Sequence, residues 1–135
     1  MTSNRLTVWA GRTMVAIGVL HTLVFLPHPY WTDWLSGSAW RGVELPDEAH
    51  IVFWALPGSF VPVLILLGLL VSRLGKRGET LPAYMGWVLA GWCAVGLWFV
   101  GPSGFMFGFV PAGLLIADSI RTRRTEPGRE ASLSA

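Results

Sequence analysis

His21 is the side chain in this sequence whose type and position best suit chemistry. It lies in an apolar run, about one helical turn beyond Ile17 near the centre of that run. Ionisable groups inside long apolar runs are costly, and they often serve function. An imidazole here is expected to transfer protons or bind a ligand, or else to be an interior histidine that donates to a carbonyl of another helix. His21 is therefore the first candidate for a catalytic residue.

Polar residues at the start of the next apolar run are candidate partners for His21. Asp47 and Glu48 follow Pro46, and His50 comes shortly after them. Carboxylates in the first turn of a helix interact favourably with its dipole, which is one interpretation of this pair. The other is acid–base chemistry, in which a carboxylic acid at an apolar boundary donates a proton. This second interpretation predicts a catalytic group at the outer mouth of a helix bundle, formed by His21, His50, Glu48 and Asp47.

Counting along each apolar run places a layer of glycine and proline at the depth of His21. Pro57 removes a backbone donor and frees a carbonyl one turn earlier, which the rest of the bundle must satisfy. Such a layer is either a very close helix crossing or a space for a ligand. Trp92, near the centre of its run, is either the floor of that space or a core-filling residue. The predicted ligand-binding residues are Trp54, Pro57, Gly58, Trp92, Gly96 and Gly108.

Composition indicates that the elements holding these residues lie in a membrane. Hydrophobic residues make up 53% of the chain and charged residues 13%, with a mean hydropathy of +0.53. Typical soluble domains are about 25% charged, so this balance argues against a soluble globule, a disordered chain and a nucleic-acid-binding protein. Apolar runs long enough to cross about 30 Å of hydrocarbon predict an all-α, antiparallel four-helix membrane bundle. The predicted spans are residues 7–26, 50–71, 81–100 and 105–120.

The distribution of charge predicts the orientation of this bundle. Among the basic residues, only Arg41 falls on the side opposite the termini, and basic loops favour the cytoplasmic side. Together with an arginine-rich, lysine-poor composition, this predicts a multi-pass protein of the bacterial cytoplasmic membrane. Residues 1–124 form the predicted four-span domain, and residues 125–135 a disordered cytoplasmic tail. The basic residues assigned to the inner side are Arg5, Arg12, Arg73, Lys76, Arg77, Arg121, Arg123, Arg124 and Arg129.

The loop between the first two predicted spans is too apolar to extend into water. Tyr30, Trp31, Trp34 and Leu35 are spaced along one face of a short helix at the outer surface of the membrane. This helix either rests on the outer leaflet as an anchor or lid, or it gates the entry of a lipophilic ligand.

Small residues recur at helical spacing in the last two spans. Gly86, Ala90 and Ala94 form one ladder, and Gly104 and Gly108 form another. Such ladders let helices approach closely, either inside the bundle or in a homodimer or a complex with a membrane partner.

Other polar residues are interpreted as structural. Asp118 is expected to pair with Arg12 across the bundle, or with Arg121 beside it. Cys93 is the single cysteine, and the chain lacks the spacings HxxxH, HExxH and CxxC. We therefore predict no metal site and no cofactor.

Short motifs follow one another between about residues 9 and 120. They are Ala10-Gly11-Arg12, Gly18-Val19-Leu20-His21, Phe53-Trp54, Gly68, Leu81-Pro82, Gly86-Trp87 and Pro102-Ser103-Gly104-Phe105. In their order the chain resembles a family of small four-helix bacterial membrane proteins of unknown function. The resemblance implies four spans, with no established activity and no catalytic residues to transfer.

The first function hypothesis is a membrane protein that binds a lipophilic small molecule in the outer half of the bundle. It includes an acid–base isomerase or cyclase that uses His21. A second hypothesis is a non-catalytic scaffold or subunit, packed against another membrane protein through a small-residue face. A third is a helper in quinone- or haem-linked redox chemistry.

Overall fold

The computed structural model describes residues 3–55 and 60–133. Within these residues the regular elements are helices and no strand occurs, which confirms the predicted all-α class. The first half contains α1 (Arg5–Phe25), α2 (Trp31–Leu35) and a 3-10 turn (Ser38–Arg41). The later helices are α3 (Asp47–Ala55), α4 (Phe60–Lys76), α5 (Tyr84–Val100) and α6 (Phe105–Leu133).

The largest differences between the helices and the predicted spans lie in the second and the fourth span. Most of the second span, predicted as residues 50–71, is divided between α3 and α4, and the predicted site residues Pro57 and Gly58 lie outside the described residues. The backbone of α6 continues past the predicted end at residue 120 as far as Leu133, into the stretch for which the sequence predicts disorder.

Two helices in the described part are long and apolar enough to cross a membrane. They are Arg5–Phe25 and the first part of α6, Phe105–Arg123. Helix α5 is also apolar, but it is shorter. These lengths agree with about 20 residues for a span.

Helix α1 organises the packing, since it contacts both α4 and α6, and α6 in turn contacts α5. The buried centre of this arrangement is small and aliphatic. It is formed by Ala10, Met14, Leu64, Val71 and Leu115. Because α4 and α5 share no extensive packing in the described part, a gap remains between them.

Glycines let α1 and α4 cross at close range. A Cβ atom on Gly11 would overlap backbone atoms of Gly68 and Ser72, and a Cβ on Gly18 would meet the side chain of Ile65. Gly75, near the end of α4, faces Thr7 in the same way. The small residues that join α1 to α4 therefore belong to neither of the two ladders predicted in the last two spans.

A short turn then makes α5 and α6 antiparallel. The N–H of Gly101, whose φ of +79° suits glycine, donates to the carbonyl of Leu97 at 2.9 Å. Gly86 lies against Ile116 and Ala112, so one member of the predicted ladder packs inside the bundle.

The loop after α1 folds into an aromatic platform, which we define as Tyr30, Trp31 and Trp34. Helix α2 is the short helix at this position, and the indole N–H of Trp31 donates to the carbonyl of Phe25 at 3.3 Å. Trp34 contacts Phe53 of α3 edge-on, with ring centroids 5.8 Å apart. Leu35 and Trp40 remain exposed on this platform.

Candidate functional site

An aromatic cluster joins the four long helices around His21. We define it as His21 of α1, Phe60 of α4, Trp92 of α5 and Phe105 of α6. The ring of His21 meets Phe60 edge-on at 5.4 Å, and Phe60 meets Trp92 at 5.6 Å. Trp92 in turn meets Phe105 at 5.1 Å. Aromatic pairs of this geometry each stabilise by about 0.5–1.5 kcal/mol, so the cluster fixes the relative positions of the four helices.

His21 is half-buried at the edge of this cluster. Its ring also lies 5.0 Å from Phe25, one turn later on the same helix. The imidazole therefore has aromatic neighbours along α1 and across to α4. Phe60 is the first residue of α4, so the start of that helix determines what faces His21.

Two glycines of the predicted layer, Gly96 and Gly108, lie against side chains of the neighbouring helix. A Cβ atom on Gly96 would lie 2.5 Å from the Phe105 ring, and a Cβ on Gly108 would overlap the sulfur of Cys93. Of the two interpretations of this layer, the geometry around these glycines matches a close crossing of α5 and α6. The side chains of Phe105 and Cys93 occupy the space that Gly96 and Gly108 leave, because glycine has no Cβ atom.

Trp54, another predicted ligand-binding residue, lies on α3. Its ring is exposed and contacts Phe53 at 5.8 Å. It therefore belongs with the aromatic platform after α1, while Trp92 belongs to the aromatic cluster.

An apolar groove of about 330 Å³ runs between α4 and α5. Trp92 is the predicted ligand-binding residue that contributes to it, and Phe60 faces Trp92 at the same end. Tyr84, the first residue of α5, lies at the other end. Among the described residues, no charged side chain lines this groove. The lining residues are Phe60, Val63, Leu64 and Leu67 of α4, and Tyr84, Met85, Val88, Leu89 and Trp92 of α5.

The predicted catalytic partners of His21 lie on the first turns of α3. Asp47, Glu48 and His50 are all exposed there. The hydroxyl of Tyr30 donates to Glu48 at 3.0 Å, which links α3 to the aromatic platform. The ring of His21 contacts Phe25 and Phe60, whereas Glu48 contacts Tyr30.

The hydrogen bond from Tyr30 to Glu48 has a consequence for pH. This bond, followed by desolvation and the charges of Glu48 and Asp33, raises the pKa of Tyr30 above its ordinary value of 10.0. A raised pKa favours the neutral phenol in the folded protein. The stabilisation from the bond is therefore complete below pH 10.0 and is lost as pH rises through the raised value.

We predict that Glu48→Ala lowers the titration midpoint of Tyr30 towards 10.0, because the first cause of the shift is removed. Ultraviolet absorbance of the phenolate measures this midpoint, in a Tyr84→Phe background that leaves Tyr30 as the remaining tyrosine. His50→Ala on the same helix is the control and is expected to leave the midpoint unchanged. An equal midpoint in the parent and in Glu48→Ala would contradict the prediction.

A buried carboxylate at the other end of the bundle was not identified as a site from the sequence. Asp118 of α6 accepts hydrogen bonds from the amide of Asn4 at 2.7 Å and the hydroxyl of Thr7 at 2.8 Å. Arg12, an expected partner, lies over the ring of Trp9 at 5.3 Å. The spacing of Asn4 and Thr7, which puts two polar residues on one face of α1, is the signal that indicates this contact.

Residues 3–55 and 60–133 contain no group of three or more His, Cys, Asp or Glu side chains placed to hold a metal ion.

Most of the chain matches the model of a known protein family. A model of a family of unknown function, DUF6463, matches residues 5–122, which is most of the chain. This match confirms the resemblance to an uncharacterised protein family. No curated protein matches the chain, and no solved structure matches it.

Proposed function

The chain belongs to the family of unknown function DUF6463, and we propose that it is a multi-pass membrane protein that binds a lipophilic small molecule. The binding site is the apolar groove between α4 and α5. The observation that supports this most directly is the groove itself, about 330 Å³ in volume and lined by apolar and aromatic side chains. Ligand pockets are concave and mostly apolar, with few polar groups that set the orientation of the ligand.

The surface of the long helices supports a membrane location. Only 28% of the α1 span and 22% of the α6 span are buried inside the protein, whereas a core helix of a soluble protein is mostly buried. Large apolar side chains are exposed on every long helix, among them Val24, Leu66, Trp98 and Phe107. In water such a surface is an aggregation liability, and in a bilayer it is the surface that contacts lipid.

The orientation that we propose for the protein in the membrane rests on the basic residues of its loops and termini. We place both termini and the basic residues of the α4–α5 connection in the bacterial cytoplasm. Tyr84 then lies near the inner boundary of the membrane, and Trp92 lies deeper. In this orientation the groove extends from the inner surface towards the centre of the bilayer, rather than occupying the outer half of the bundle.

Binding in a membrane depends on fit more than on apolar burial. Lipid tails are as apolar as the groove, so moving a hydrocarbon chain from lipid into it gains little hydrophobic free energy. Selectivity comes from close packing against Leu64, Leu89 and Trp92, and from a hydrogen bond to the Tyr84 hydroxyl.

The binding proposal is tested by photolabelling with dodecanol that carries a diazirine at its chain terminus. The protein is reconstituted in phosphatidylcholine nanodiscs, and mass spectrometry identifies the labelled residues. Val88→Trp puts a large ring into the groove and is expected to reduce labelling of α4 and α5 by about tenfold, or about 1.4 kcal/mol. Val95→Trp is the matched control, because Val95 is an exposed valine on the same helix that does not line the groove.

Val95→Trp is expected to be labelled to the same extent as the wild type. Excess unlabelled dodecanol is expected to reduce the labelling of both proteins. Equal labelling of the two tryptophan variants would contradict the proposal. So would wild-type labelling that unlabelled dodecanol does not reduce, because the probe would then be reporting contact with bulk lipid.

A further inference from the structure

Phe60 lies between the groove and the predicted catalytic histidine. On one side its ring closes the groove against Trp92, with centroids 5.6 Å apart. On the other side the same ring meets the imidazole of His21 at 5.4 Å. A chain that fills the groove from the Tyr84 end therefore meets Phe60 before it meets His21.

We propose that Phe60 is the specificity-determining residue of the groove: its ring sets where a bound chain ends and holds that end away from His21. This inference rests on the proposed binding function and specifies its ligand as an amphiphile with one hydrocarbon chain and a small neutral headgroup. The described residues of the groove lining are apolar or aromatic and include no charged side chain, so the lining suits a hydrocarbon chain rather than an ion.

The orientation of the ligand follows from the polar atoms at the two ends. Tyr84 is 65% exposed at the start of α5, so its hydroxyl can bond a headgroup that remains in the polar boundary of the membrane. A headgroup at the other end would be desolvated among the rings of Phe60, Trp92 and Phe105, which costs free energy unless it is hydrogen-bonded. The headgroup therefore lies at Tyr84, and the chain terminus lies at Phe60.

The length of the groove sets the length of the preferred chain. Trp92 follows Tyr84 by eight residues on α5, which corresponds to about 12 Å along the helix axis. A longer chain must displace the Phe60 ring, bend, or leave the groove sideways into lipid. Each of these lowers the occupancy of the groove by the chain terminus.

Removal of the Phe60 ring is expected to extend the groove to His21. Phe60→Ala leaves a space between Trp92 and the imidazole, and Phe60→Leu removes the flat ring while keeping an apolar side chain that preserves the packing of α4. Leu66→Ala is the matched control, since Leu66 is an exposed apolar residue of α4 that does not line the groove.

The test uses terminal-diazirine decanol, dodecanol, tetradecanol and hexadecanol in phosphatidylcholine nanodiscs. In the wild type and in Leu66→Ala, decanol and dodecanol are expected to label Phe60 and Trp92, and every probe is expected to label the α1 peptide around His21 only at background level. In Phe60→Ala and Phe60→Leu, tetradecanol is expected to label that peptide at least about tenfold more than in the wild type.

The outcomes separate the inference from the function on which it rests. One outcome is that unlabelled alcohol reduces labelling of the groove, but both Phe60 variants are labelled at the same residues as the wild type. This result overturns the role of Phe60 and leaves the binding function standing. Labelling of the α1 peptide around His21 above background level in the wild type also overturns the role of Phe60. This result does not depend on whether the variants fold. No competable labelling of the wild-type groove by any probe overturns the binding function itself.

Discussion

Gly11→Ala is expected to lower the free energy of unfolding by about 3 kcal/mol, at the upper end of the usual cost of overpacking. The added Cβ atom would overlap the carbonyl oxygen of Gly68 and the backbone of Ser72. Backbone atoms of a helix cannot rotate away as the end of a side chain can. Helices α1 and α4 must therefore separate along their whole contact, which also loosens the buried centre around Met14.

Thermal unfolding in a mild detergent measures this effect, with two glycine controls. Gly91→Ala on α5 meets nothing within 4 Å and is expected to be neutral or to stabilise by up to about 1 kcal/mol, the helix preference of alanine over glycine. Gly18→Ala meets only the side chain of Ile65 at close range, which can shift, so its cost is expected to lie between the others. Equal stability of the Gly11 and Gly91 variants would show that the crossing is looser than described.

Asp118→Ala is expected to cost about 3 kcal/mol, because it leaves two polar groups of α1 without their acceptor. The amide of Asn4 and the hydroxyl of Thr7 both donate to one oxygen of this carboxylate, and Thr7 is fully buried. When the carboxylate is removed, the buried hydroxyl of Thr7 is left without hydration or an acceptor, whereas the half-buried amide of Asn4 can bond water.

Asp118→Asn is the variant that isolates the hydrogen bonds, since its carbonyl oxygen still accepts from Asn4 and Thr7. It is expected to recover more than half of the lost stability. Glu79→Ala provides a control for removal of an exposed carboxylate: its ion pair with Arg77 at 3.6 Å is half-exposed, and such pairs contribute about 1 kcal/mol or less. A loss no larger in Asp118→Ala than in Glu79→Ala would contradict a structural role for the buried acceptor.

Helix class could be predicted from the sequence because it depends on local composition. Long apolar runs with few charges leave a helix as the economical way to satisfy the backbone, and α1 lies within two residues of its predicted ends at residues 7 and 26. The start of α5 was less accurate. The helix begins at Tyr84 rather than at residue 81, after a turn in which the N–H of Met85 donates to the carbonyl of Pro82.

For the neighbours of His21, the sequence predicts only a depth along the helices and not the identity of the side chains that face the imidazole. Counting residues gives the depth of a side chain along its helix, and on that basis Trp92 and Gly96 were placed near His21. Depth does not give the rotation of each helix about its axis, which decides which side chains face one another. Phe60 and Phe105, which fill that layer, were therefore missed.

The groove could not be predicted at all from hydrophobic pattern. It exists because α4 and α5 are held apart by their separate contacts with α1 and α6. Apolar residues that line a groove, such as Val63 and Val88, have the same sequence pattern as apolar residues on the outer surface of the bundle. Only the arrangement of the helices distinguishes the two environments.

The hydrogen bonds at Asp118 have a consequence for biogenesis. They join residues separated by 114 and 111 positions, almost the whole length of the chain. Helix α1 leaves the ribosome first, but the acceptor for Asn4 and Thr7 is synthesised only with α6. Until α6 has been synthesised, the amide of Asn4 and the hydroxyl of Thr7 must therefore bond water or other acceptors. The native contact between α1 and α6 is thus a late step in the assembly of the bundle, and it exchanges these temporary partners for Asp118.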